Sequence, residues 1–162
     1  MRYLCVTSPD VNNGSGFRVT LWVAGCRHHC EGCQNKSTWS YTQGKTLDEI
    51  KDDLFAKLGK PYIKGLTLSG GDPLDQTGES LDELRDLLRE VKKTYPGKDI
   101  WVYSGDYFED AWEDMHKRGV IQECDYMVDG PYIQAEADAS LPFRGSNNQH
   151  IINIHERVAA EK

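Results

Sequence analysis

The sequence predicts an α/β fold with about five or six mostly parallel strands, and three observations carry that prediction. Short runs of β-branched and aromatic residues recur along the chain, from YLCVT near the start to HIINI near the end. Between them lie segments whose leucines return at helical intervals. The residues suited to chemistry sit immediately after strand runs, where parallel α/β folds gather their functional loops. Strands alternating with helices imply crossover connections, and hence a parallel sheet.

Tyr3 to Thr7 and Phe17 to Ala24 read as strands separated by VNNGSG, whose Asn and Gly residues are turn formers. After the loop GCRHHCEGCQN, Thr46-Leu-Asp-Glu49 has capping-box spacing, and Leu47, Ile50, Leu54 and Leu58 recur as one helical face before Gly59 and Pro61. GLTLSGGDP is a short buried strand running into glycines. Ser80 to Glu83 offers a second capping box, opening a helix with Leu81, Leu84, Leu87, Leu88 and Val91 on one face. IWVYS is the next strand, after which Asp106 is placed to cap a helix that turns Phe108, Ala111, Trp112 and Met115 toward the core and ends at Gly119. CDYMVDG is another buried strand. An irregular stretch from Pro131 through LPFRGSNNQ leads to HIINI and a short polar tail. The chain reads as a single domain: 1–24 the N-terminal strands, 25–40 the cysteine loop, 41–156 β/α units and 157–162 the tail.

At 162 residues the chain suits one domain, and 38% hydrophobic with 28% charged residues suits a soluble one. The net charge of -7, with no basic cluster longer than Lys92-Lys93, argues against nucleic acid as a partner. MRYLCVTSPD reaches Pro9 and Asp10 before an apolar signal core forms, and no apolar run approaches the roughly 20 residues that span a bilayer. These features lead to a cytoplasmic protein with no membrane partner. Three of the five cysteines are bunched within eight residues rather than spread as a disulfide framework, which points to a reducing compartment. Cys5 and Cys124, alone in apolar surroundings, read as small buried core residues.

The CxxxCxxC spacing of Cys26, Cys30 and Cys33 brings three thiolates onto one loop. A closed structural site needs four ligands, whereas a reactive centre keeps a position open. Zinc and an iron-sulfur centre both suit thiolates. Zinc would require Cys5, Cys124, His150 or His155 to fold back as a fourth ligand, and the paired CxxC units of zinc knuckles are missing, which favours iron-sulfur. His28 and His29 read as solvated loop residues, with the option of a hydrogen bond to a cluster. In SGGDP the two glycines let a ligand approach the backbone closely.

On these residues the chain resembles the radical S-adenosylmethionine family, whose members carry CxxxCxxC after the first barrel strand and a GGE or GGD segment after the second. NGSGFRVTLWVAGC, C-x-x-x-C-x-G-C-x-N, SGGDPL, VYSG, DGPY and FRGSNNQ are together similar to the subgroup of glycyl-radical activases that serves anaerobic ribonucleoside-triphosphate reductase. The likeness covers nearly the whole chain. With only five or six strands, it implies an open, partial (β/α) barrel of the radical S-adenosylmethionine type.

The resemblance also implies a mechanism. Cys26, Cys30 and Cys33 would each hold one iron of a 4Fe-4S cluster, leaving the fourth iron for the amino and carboxylate groups of S-adenosylmethionine. Reductive cleavage would release methionine and a 5′-deoxyadenosyl radical, which removes hydrogen from a glycine of the large subunit of anaerobic ribonucleoside-triphosphate reductase. The electron would come from a flavodoxin or ferredoxin-type donor. Gly70, Gly71 and Asp72 match the segment that receives the methionine ammonium, and Ser104 the position for its carboxylate or ribose. Asp129 stands either as a ligand of ribose, a cation or partner peptide, or as a cap for the Gly130-Pro131 turn. Arg144 and Asn148 are placed to contact the cofactor or incoming glycine loop, or to tie down their own loop. Gly32 stands where many members of the family carry an aromatic residue, so adenine packing would come from elsewhere. Three alternatives remain at this level: a 7-carboxy-7-deazaguanine synthase, a pyruvate formate-lyase activase and a non-catalytic zinc-binding interaction module.

Overall fold

A computed structural model of the chain describes residues 1–33 and 36–160. The expected strand runs form one six-stranded sheet in chain order. β1 (Tyr3–Asp10) pairs antiparallel with β2 (Arg18–Val23), and β2, β3 (Gly65–Gly70), β4 (Asp99–Tyr103) and β5 (Tyr126–Asp129) run parallel. β6 (His150–Asn153) returns antiparallel along β5, and β1 does not meet β6, so the sheet is mixed and open. The reason lies in the connections. VNNGSG and the stretch after Pro131 bring the chain back without a crossover helix, which delivers an antiparallel neighbour.

α1 (Leu47–Leu58) and α2 (Gly78–Thr94) are the crossovers into β3 and β4, and α3 (Phe108–Glu113) with α4 (Met115–Ile121) leads into β5. Val19, Leu21 and Val23 of β2, Leu66 and Leu68 of β3, and Ile100 and Val102 of β4 form a buried core with Ile50, Leu54 and Leu58 of α1 and Leu81, Leu84, Leu88 and Val91 of α2. Side chains alternate across a strand, so Thr20, Thr67 and Trp101, in register on adjacent strands, face away from the helices. The helix-covered face is thus aliphatic and the other polar and aromatic. On that second face Arg18 is fully buried. Its Nε donates to Thr67 Oγ1 at 2.7 Å, and Nη2 pairs with Asp99 at 2.6 Å and donates to Leu66 O at 2.9 Å.

Several sequence expectations are corrected. α2 starts at Gly78, capped by Thr77, whose Oγ1 accepts from the Ser80 N–H at 3.2 Å; the Ser80 to Glu83 spacing falls inside the helix. The third helix breaks at Asp114, which is extended (φ -89°, ψ 122°) and caps α4 through the N–H groups of His116 and Lys117. Met115 then faces solvent, and Gly119 lies within α4. Tyr107 takes the cap position assigned to Asp106. Cys124 is buried as expected, but Cys5 is exposed on the edge strand β1. The polar tail is helical as far as Ala160, forming α5 (Ile154–Ala160), and its last two positions, 161 and 162, lie outside the described residues.

Candidate functional site

The cysteine loop leaves the end of β2 through Gly25, whose φ of +104° and contact with the Tyr41 ring exclude a side chain. Its base is closed by two backbone bonds, Gly25 N–H to Thr38 O at 2.7 Å and Cys26 N–H to Trp39 O at 3.2 Å. His29 stacks on Trp39 with ring centroids 4.1 Å apart. The three cysteines are half-buried. Backbone N–H groups of His28 and His29 point at the Cys26 sulfur, and that of Tyr132, from the loop after β5, at Cys30. Burial, then the Asp72 charge, push the Cys26 thiol up to about 12, and burial raises Cys30. Metal ligation must displace these protons.

Three half-buried thiolates on one loop are a donor set that suits an iron-sulfur cluster with one position left open. Among the described residues, the ligand atoms of His28, Asp72 and Asp106 also lie within 4.8 Å of one another. Asn35, part of the C-x-x-x-C-x-G-C-x-N pattern, lies outside the described residues.

The glycine loop runs directly against the base of the cysteine loop. Gly71 donates its N–H to Val23 O at 2.9 Å and Asp72 to Gly25 O at 2.7 Å. A Cβ at Gly71 would lie 2.3 Å from Gly25 O, and one at Gly70, where φ is +110°, 2.5 Å from Val23 O. The glycines therefore admit the neighbouring backbone.

Asp72 is 1% exposed and joins three loops. Its Oδ1 accepts from the Leu74 N–H at 2.9 Å; its Oδ2 accepts from Ser104 Oγ at 3.1 Å and Gly105 N–H at 2.8 Å. His28 Nε2 approaches the same Oδ2 at 2.8 Å and Asp106 Oδ1 at 3.4 Å. The contact with Asp72 raises the His28 pKa against the opposing effect of burial. His28 is thus a half-buried bridge, a correction to its reading as a solvated loop residue. Asp106 in turn pairs with Lys117 at 2.6 Å.

Ser104 is buried, and its Oγ also accepts from the Asp106 N–H. Asp129 is 2% exposed, with both oxygens engaged: Oδ2 accepts from the Phe108 N–H at the start of α3, and Oδ1 accepts from the His150 N–H and contacts its Nδ1. Asn148 ties down its own loop, donating to Pro131 O at 2.8 Å and Tyr107 Oη at 3.2 Å. Arg144, in the same loop, is half-buried, and its Nε is buried without a hydrogen-bond partner.

Comparison with known proteins identifies the family. A family model described as a 4Fe-4S single cluster domain matches residues 12–152. An anaerobic ribonucleoside-triphosphate reductase-activating protein of Haemophilus influenzae is 41% identical over 154 residues, spanning 93% of this chain and 97% of its own. Proteins of the same name from Vibrio cholerae and enterobacteria phage T4 are 43% and 40% identical, spanning 88% and 93% of this chain and 91% and 93% of theirs. The chain belongs to the anaerobic ribonucleoside-triphosphate reductase-activating family.

In this family member, Gly32 has φ +75°, and a Cβ there would lie 2.9 Å from Gln134 Cδ, so Gln134 fills the space beside the glycine. Sequence reasoning missed Asp75 and Gln76, which follow the SGGDPL motif, and Tyr41 beyond the cysteines. The Tyr41 hydroxyl donates to Asp75. The signal available was a polar pair placed immediately after a glycine loop.

Proposed function

We propose that this chain generates a glycyl radical on the large subunit of anaerobic ribonucleoside-triphosphate reductase by reductively cleaving S-adenosylmethionine at a 4Fe-4S cluster. Cys26, Cys30 and Cys33 would hold three irons, leaving the fourth for the amino and carboxylate groups of S-adenosylmethionine. When bound, cluster and cosubstrate supply one-electron scission of the S–C5′ bond, giving methionine and a 5′-deoxyadenosyl radical that takes hydrogen from the reductase glycine.

The chain's own residues orient these groups. Gly71 and Asp72 spend their N–H groups on Val23 O at the end of β2 and on Gly25 O, so the glycine loop would offer carbonyls of Gly70 and Gly71, acceptors suited to an ammonium. Asp72 adds a buried negative charge beside them. Ser104, hydrogen-bonded to Asp72, is placed for the carboxylate or ribose. Asp129 holds the start of α3 and β6, so its part would be to fix the Gly130-Pro131 loop rather than to bind a ligand itself. The open sheet is read as a partial (β/α) barrel of the radical S-adenosylmethionine type whose exposed side would admit a partner segment. The electron donor is a flavodoxin or ferredoxin-type protein, and the setting is the cytoplasm; no helix among the described residues is long and apolar enough to cross a membrane.

The observation that carries this reading is the backbone bond from Asp72 to Gly25, one residue before Cys26, which seats the glycine loop against a three-thiolate loop. Anaerobic reconstitution should give about four irons per chain. Reduced protein with S-adenosylmethionine and the reductase should then show a glycine-centred radical by electron paramagnetic resonance. One equivalent of zinc and no iron-sulfur chromophore would end the reading.

A further inference from the structure

Asp75 and Gln76 lie beyond the glycine motif, yet both reach back to the cysteine loop. Asp75 is 6% exposed. Its Oδ2 accepts from the Arg27 N–H at 2.7 Å, immediately after Cys26, and from the Tyr41 hydroxyl at 2.9 Å. Its Oδ1 accepts from Arg27 Nε at 2.9 Å and Nη2 at 2.5 Å. The Tyr41 hydroxyl also reaches Asp75 O at 2.8 Å, while its ring covers Gly25. Gln76 Nε2 completes the clasp, donating to Ala24 O at 3.1 Å and Asp72 O at 3.0 Å.

The backbone on both sides of Cys26 is thereby bound to the segment that follows Asp72. Any rotation of the cysteine loop relative to the glycine loop must break these bonds, several of them charge-assisted, on a carboxylate that is itself buried although the Arg27 side chain is exposed. We infer that Asp75, with Gln76 and Tyr41, is a positioning residue that sets the distance between the cluster's open iron and the site for the cosubstrate ammonium. The inference rests on the cluster and S-adenosylmethionine reading above. Chelation of one small ligand by two loops is sensitive to their separation, so the effect falls on cosubstrate binding rather than on cluster assembly.

The test uses reconstituted full-length protein and three variants: Asp75→Asn, which keeps shape and an acceptor for the Arg27 N–H but removes the charge; Tyr41→Phe, which keeps the ring over Gly25; and Gln76→Ala. Iron per chain, the resonance spectrum of the reduced cluster with and without S-adenosylmethionine, and the dissociation constant for S-adenosylmethionine are measured. Asp75→Asn should retain its iron and reduced-cluster signal, bind S-adenosylmethionine about tenfold more weakly and show an altered cosubstrate-induced spectrum. Tyr41→Phe and Gln76→Ala should show smaller losses in the same direction. Unchanged affinity and spectrum in Asp75→Asn would overturn the inference, as would loss of iron in proportion to binding, which marks a folding defect. A wild-type cluster that binds no S-adenosylmethionine would instead sink the functional reading itself, and this inference with it.

Discussion

His28 Nε2 lies 2.8 Å from Asp72 Oδ2, a contact that joins the cysteine loop after β2 to the glycine loop after β3. The same oxygen holds Ser104 and Gly105 from the loop after β4, so one buried carboxylate organises three strand ends. Replacing Asp72 with Ala strands the buried donors of Leu74, Ser104 and Gly105. With each unsatisfied group costing about 1–3 kcal/mol, denaturant unfolding should show a loss of order 3 kcal/mol. A loss below about 1 kcal/mol would mean that the loops hold together without it.

Cys26→Ala, Cys30→Ala and Cys33→Ala act on the cluster and not on the core. Each should abolish S-adenosylmethionine cleavage, assayed by release of 5′-deoxyadenosine, while the far-ultraviolet circular dichroism stays that of the parent. Cleavage retained by all three would overturn the ligand assignment.

Gly71→Ala sets a methyl 2.3 Å from Gly25 O, a backbone atom that cannot rotate away. The two loops must part, at a cost of about 1–3 kcal/mol by the usual penalty for overpacking. Thermal unfolding should report that loss together with weaker S-adenosylmethionine binding. An unshifted midpoint would show that the loops are less tightly apposed.

Asp75 carries a pH signature. Burial opposes its ionisation, but hydrogen bonds from the Arg27 side chain and backbone and from Tyr41 outweigh it, leaving the carboxyl at about 2, below its ordinary 3.8. Its folded-state value is depressed, so its contribution to stability is present above about pH 4 and is lost as the pH falls toward 2. Denaturant midpoints of the metal-free chain should decline through that window, and less steeply in Asp75→Asn. Parallel curves for the two proteins would remove Asp75 from the acid response.

Arg18→Ala removes one partner of a buried pair and leaves the Asp99 carboxylate and the Leu66 carbonyl without it. The expected cost is about 3–5 kcal/mol, in the range for breaking buried ion pairs. Equilibrium unfolding with a loss under about 1 kcal/mol would show that water replaces the guanidinium.

The strands, the first capped helix and the three-cysteine loop were legible in the sequence because each depends on near neighbours. Period-two and helical patterns, the box of Thr46 and Glu49, and the spacing of Cys26, Cys30 and Cys33 all act within a few residues. Caps were less secure, since Thr77 and Ser80 both suit the start of α2 and only the chain's approach from the glycine loop selects Thr77. Asp114 divides the third helix at a point that no breaker residue marks. Cys5 was misplaced because an apolar setting in sequence does not reveal that its strand lies at a sheet edge.

By itself, then, the sequence determined the alternation of strands and helices, the thiolate loop and the glycine loop, and through their order the likeness to radical activases. Tertiary structure decided which groups hold those loops together: His28 with Asp72, Arg27 with Asp75 and Arg18 with Asp99. These partners are separated by tens of residues, and no local pattern selects one distant carboxylate over another. The sheet makes that choice, by bringing successive strand ends side by side and burying the charges that must then find partners.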